Sequence, residues 1–96
     1  MPYYFLKLKP RRPTFAQDMT AEERAIMHQH AAYLRGFMDK GIVKVFGPVF
    51  DPAEAFGMGV LEVENEAQIK DIIEGDPASS INKYEFYPMV AIMPGQ

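Results

Sequence analysis

TAEERAIMHQHAAYLRGFMDKGIVKVFGP, running from Thr20 to Pro48, is the stretch that decides the fold. It opens with Thr20-Ala-Glu-Glu23, a capping box. The Thr20 hydroxyl can accept from the amide of Glu23, and the Glu23 carboxylate can reach back to the amide of Thr20. At about 100° per residue, Ile26, Met27, Tyr33, Leu34, Phe37 and Met38 gather on one side, and Arg24, His28, Arg35 and Asp39 on the other. The spacing predicts an amphipathic helix to about Lys40. Gly41 is its stop, because glycine takes the left-handed conformation that ends a helix without a Cβ penalty. Ile42 to Phe46 follows at once as a short valine-rich strand, and Gly47-Pro48 is expected to interrupt it.

Upstream, Tyr3 to Leu8 is aromatic and apolar and reads as a first strand. Lys9-Pro10-Arg11-Arg12-Pro13 ends it, since prolines cannot donate to a ladder, and a loop is expected to about Met19. Downstream, Met58 to Val63 reads as a third strand. Asn65 caps a second helix with Ile69, Ile72 and Ile73 as its apolar stripe, Gly75 as its stop and a turn begun by Asp76-Pro77. Tyr84 to Met93 reads as the last strand, at a sheet edge or bulge because of Pro88. The order β-α-β-β-α-β predicts an α+β, ferredoxin-like fold with an antiparallel sheet. Two helices cover one face of such a sheet. The other face needs a cover, and a second copy of the chain is the simplest one, giving a dimeric α+β barrel.

The 96 residues are read as one domain, 1–96. An apolar share of 48% is too high for a disordered chain and leaves a surplus for a subunit interface. A net charge of −3 gives no basic face for nucleic acid. The absence of cysteine excludes disulfides, thiolate metal sites and cysteine nucleophiles, and favours the cytoplasm. The apolar start is broken at Lys7, too early for a signal peptide, and no run reaches the roughly 20 apolar residues of a membrane span.

His30 is the first candidate for chemistry. With Ile26 at zero it falls near 40° on the wheel, inside the apolar stripe, whereas His28 falls near 200° and faces solvent. A histidine so placed must find a partner. It is either a core histidine bonded to a backbone carbonyl or a general acid–base group. Asp76 is either a turn starter or, in the loop before the last strand, a carboxylate that orients His30 and fixes its tautomer. Tyr33, one turn beyond His30, is a core aromatic or a pocket residue. Arg11 and Arg12 form a solvated loop or bind an anionic substrate. Two histidines at a spacing that sends them to opposite sides make no metal motif. Gly57-Met-Gly59 is no phosphate loop, so flavin, nicotinamide and haem have no support in the sequence.

The segment from His30 to Gly41, the short strand after it and Gly47-Pro48 resemble the YCII-related (YciI-like) pattern, as do Asp76-Pro77 and the final strand with its proline. The resemblance spans nearly the whole chain and implies a ferredoxin-like fold in a dimeric α+β barrel. It also implies that His30 and Asp76 line a pocket as an active-site pair. One related member is a dehydrochlorinase of a hydroxylated chloroaromatic, and the wider superfamily includes lactone isomerases and monooxygenases. The chain departs from the pattern in the longer Lys9–Met19 loop and the short acidic Val49–Gly57 connection. Both should shape the pocket mouth, so the substrate is not carried over.

Two functions follow as expectations. One is a homodimeric, cofactor-free lyase or isomerase using His30 and Asp76 on a small cyclic or aromatic compound. The other is a non-catalytic metabolite-binding or accessory module in which His30 supplies a hydrogen bond.

Overall fold

The computed structural model describes residues 2–95. Its elements are β1 (Tyr3–Pro10), α1 (Phe15–Asp18), α2 (Ala21–Asp39), β2 (Val43–Val49), β3 (Phe56–Glu62), α3 (Glu66–Gly75), a single 3-10 turn (Pro77–Ser80) and β4 (Asn82–Met89). The strands form one antiparallel sheet in the order β2-β3-β1-β4. This is the ferredoxin-like arrangement expected from the chain order.

The ends of α2 form as their residues dictate. Glu23 N–H donates to Thr20 Oγ1 at 3.1 Å and Thr20 N–H to Glu23 Oε1 at 2.9 Å, which completes the capping box. At the other end Gly41 has a φ of +80°, and Ile42 N–H donates to Phe37 O and Gly41 N–H to Met38 O. Those two bonds make a Schellman stop, satisfying carbonyls that the helix leaves open. In α3, Asn65 accepts from Gln68 N–H at 3.0 Å. Gly75 is tied to packing: a Cβ there would lie 2.5 Å from the Tyr33 hydroxyl.

Both long helices pack on one face. Leu34 of α2 and Ile69 and Ile72 of α3 bury against Leu6, Leu8, Val43, Leu61 and Val63. Each such side chain contributes roughly 1.5–3 kcal/mol by leaving water. The opposite face carries the row Val45, Val60, Phe5 and Tyr87, in register across all four strands. Val45 and Tyr87 are about half exposed, at 50% and 51%. No element of the described residues covers this face.

A bulge between Val43 and Val45 governs what β2 presents. Strict alternation would put both valines on one face. The extra residue moves Val45 to the open face and turns Phe46 toward the helices.

Four expectations are corrected. Lys9-Pro10 does not end β1: its ladder with β4 runs on through Lys9↔Lys83 to Pro10↔Asn82, which also starts β4 earlier than Tyr84. The segment after β1 is not all loop, because Phe15 buries its ring and Thr14 O accepts from Gln17 and Asp18 N–H, closing α1. Gly47-Pro48 does not end β2. The ladder runs on through Pro48↔Gly57 to Val49↔Phe56, which starts β3 earlier than Met58. An edge strand tolerates a proline because one side of its backbone has no neighbour to bond. The last strand ends at Met89, not Met93. In its ladder with β1, its one neighbour, the last pair is Tyr3 with Met89. Pro88 does lie on an edge strand, β4.

Among the described residues no helix is long and apolar enough to cross a membrane.

Candidate active site

His30 reaches the interior because α2 turns its apolar stripe onto the sheet. Its residue exposure is 8%. Asp76 reaches the same place from the other side of the core. It ends α3 and caps the 3-10 turn, and its exposure is 3%. The two side chains, 46 residues apart in sequence, meet with His30 Nδ1 at 2.7 Å from Asp76 Oδ2 and 2.9 Å from Oδ1. An ionised carboxylate only accepts, so Nδ1 carries the proton and donates it. Of the alternatives for His30, the backbone carbonyl is therefore not its partner. Asp76 satisfies both of its own: Oδ1 also accepts from Ala78 N–H at 2.9 Å, as a turn starter should.

With Nδ1 committed, Nε2 is the nitrogen left for other use. The ring borders a cavity of about 280 Å³, whose walls include Leu8, Phe15, Met27, Phe46 and Phe56. Phe46, brought round by the bulge, stands edge-on to the imidazole with ring centres 6.4 Å apart. One wall, made by Phe15, Ala16 and Met19, comes from the segment that sequence reading left as loop. Asn82 is a further polar side chain in the lining, and sequence reading missed it. Its amide N–H donates to Ala78 O at 3.2 Å.

The other candidates lie outside this lining. Tyr33 donates its hydroxyl to Ile72 O at 2.8 Å and packs edge-on against Phe37, pinning α2 to α3. Arg12 donates from Nη1 and Nη2 to both oxygens of Glu23, at 2.9 and 2.8 Å, and from Nε and Nη2 to Asp18. Arg11 is half exposed, 3.8 Å from Glu23, and borders a shallow groove with Lys9, Ser80 and Lys83. Asn82 lines both that groove and the cavity.

The Tyr84 ring of β4 packs on the core, and its hydroxyl is buried with no hydrogen-bond partner. Burial first, and then the negative charge of Asp76, push this phenol well above its ordinary pKa. Tyr33 is raised for the same two reasons, burial and the Asp76 charge. Among the described residues no group of three or more His, Cys, Asp or Glu side chains is placed to hold a metal ion.

The arrangement can hold one small, largely apolar ring against an imidazole nitrogen, with Asn82 in the same lining. The pair at its centre has the orientation that suits proton transfer: a buried carboxylate fixes the tautomer and stabilises the imidazolium when it forms.

No curated protein matches the chain. Among solved structures it is similar to the 5-chloro-2-hydroxyhydroquinone dehydrochlorinase TftG of Burkholderia phenoliruptrix, in complex with 2,5-dihydroxybenzoquinone. The TM-score is 0.64 at 19% identity, over 88% of this chain and 90% of that one, a likeness of fold. The model of the YCII-related domain matches residues 3–92, from the first residue of β1 to beyond the end of β4, and the chain therefore belongs to the YCII-related domain family.

Proposed function

We propose that the chain is a small-molecule enzyme in which His30 moves a proton through Nε2 while Asp76 holds the ring. The observation that carries this is an imidazole with one nitrogen bound to a buried carboxylate and the other beside an apolar cavity. In an elimination, Nε2 would take a proton from the substrate while the leaving group departs with the bonding pair. Asp76 would stabilise the imidazolium so formed. Isomerisation and lactone opening need the same group. A cavity of about 280 Å³ suits a single ring, and walls without Asp, Glu, Lys or Arg suit one whose buried part is apolar. The similarity to a dehydrochlorinase of a hydroxylated ring supports this substrate class.

The flanking residues take distinct parts. Arg11, in the groove that Asn82 joins to the cavity, is set to meet a polar or anionic substituent. Arg12 secures the α1 wall, and Tyr33 holds the helix that carries His30. The uncovered row Val45, Val60, Phe5 and Tyr87 is the surface on which two copies would pair, closing two sheets into a barrel. Sedimentation should then give twice the 10.9 kDa chain mass.

The deciding experiment is a turnover screen of hydroxylated, halogenated and lactone rings with wild type and His30→Asn. Loss of roughly 10²–10⁴-fold in kcat is expected for a positioned acid–base group. Full turnover by His30→Asn would sink the proposal. The cavity's scarcity of polar groups also suits a ligand that is merely held. Saturable binding with no product across the screen would favour that metabolite-binding module.

A further inference from the structure

The cavity and the groove beside it differ in charge. The cavity lining holds no Asp, Glu, Lys or Arg. The groove lining holds Lys9, Arg11 and Lys83 and no carboxylate, in a chain whose net charge is −3. The two share Pro10 and Asn82, which pair across β1 and β4 at the end of their ladder. The groove bends round that end of the sheet, since alternation turns the next pair, Lys9 and Lys83, to the opposite face.

Folding gives these cations little to hold. Lys9 and Lys83 stand directly opposite one another, and like charges so placed are destabilising. Lys9 reaches Glu85 at 3.4 Å, but Lys83 has no hydrogen bond or ion pair among the described residues. Arg11 is 3.8 Å from a Glu23 carboxylate whose two oxygens Arg12 already holds at 2.8 and 2.9 Å. Its other contact, to Ser80 O, is long at 3.4 Å and ties the guanidinium to the groove wall.

Resting on the reading of the cavity as a ring site, we propose that the groove is its anion subsite and that the ring this protein takes carries a carboxylate. The apolar ring sits in the cavity beside His30, and the carboxylate extends past Pro10 and Asn82 into the groove. There Arg11 offers the planar fork that matches a carboxylate. Lys83 and Lys9 add charge, and the bound anion relieves the repulsion between them.

The test is an NMR titration of the full chain with benzoate and phenylacetate, with their amides benzamide and phenylacetamide, and with acetate. The His30 ring resonances report on the cavity and the Lys83 backbone amide on the groove. At least one of the two acids should move both reporters with a single Kd and bind about fivefold more tightly than its amide. Arg11→Met and Lys83→Met should each weaken that acid by roughly two- to fivefold and its amide much less. Lys70→Met, which removes an exposed cation of α3, should change neither. Acids no tighter than their amides, or weakened equally by Lys70→Met, overturn the anion subsite and leave the ring site standing. Acetate that binds as tightly as the acids shows a groove for free anions and overturns the ring acid as its ligand. If no ring compound moves the His30 resonances, the ring site itself falls and its subsite with it.

Discussion

Helix α2 carries two charge clusters about two turns apart, and they are finished to different degrees. At its start Arg12, Asp18, Thr20 and Glu23 close on one another. The guanidinium uses Nε, Nη1 and Nη2, and both Glu23 oxygens are taken, one of them also by Thr20 N–H. Arg12, and after it the Thr20 amide, hold the Glu23 carboxyl down at about 2. At mid-helix His30 and Asp76 are just as close but leave a group over: Nε2, on a ring that borders a cavity. A network that satisfies every donor and acceptor fixes the chain. One with polar atoms left over in a buried place is where chemistry can act.

The comparison can be broken at three points of decreasing size. Asp76→Ala should cost about 3–5 kcal/mol in denaturant unfolding, because it strands His30 Nδ1–H and Ala78 N–H in the core. A loss below about 1 kcal/mol would mean that the buried cluster does not bind helix to turn. Thr20→Ala removes one acceptor of the finished cluster and should cost about 1 kcal/mol, the usual worth of an N-cap. Its effect on the His30 ring resonances should be nil. The smallest effect is a pH dependence. Glu23 is lowered from the ordinary 4.5 to about 2 on folding. Its contribution is therefore complete above about pH 4.5 and is lost as pH falls from there through 2. Melting temperatures of wild type and Glu23→Gln followed over that range should converge on acidification. Parallel curves would show that the Arg12 contact adds nothing to folding.

The same contrast explains what could be read in advance. The capping box, the Gly41 stop, the Asn65 cap and the apolar stripes depend on residues within a few positions of one another, and all were legible. The strand bounds drifted where a neighbour decided them: β2 runs through Pro48 because it lies at an edge, and β4 ends where its ladder with β1 ends, at the pair Tyr3 and Met89. The α1 wall went unseen because what closes it is the burial of Phe15 against distant residues.

His30 and Asp76 were singled out individually, by a wheel position and a turn signal. Nothing within either segment could set the 2.7 Å between them, which depends on how α2 and the end of α3 pack on one sheet. Arg12 reads in sequence as a solvated loop residue or an anion binder, because its contact with Glu23 joins the loop after β1 to the start of α2, a meeting no local pattern encodes. The sequence by itself determined the elements, their order and the helix faces, because local hydrogen bonding and apolar period are properties of neighbouring residues. Tertiary structure alone decided the bulge that turns Phe46 inward, the cavity beside the His30 ring and the buried, unpartnered Tyr84 hydroxyl. Each of these depends on contacts between segments distant in the chain, which no local pattern encodes.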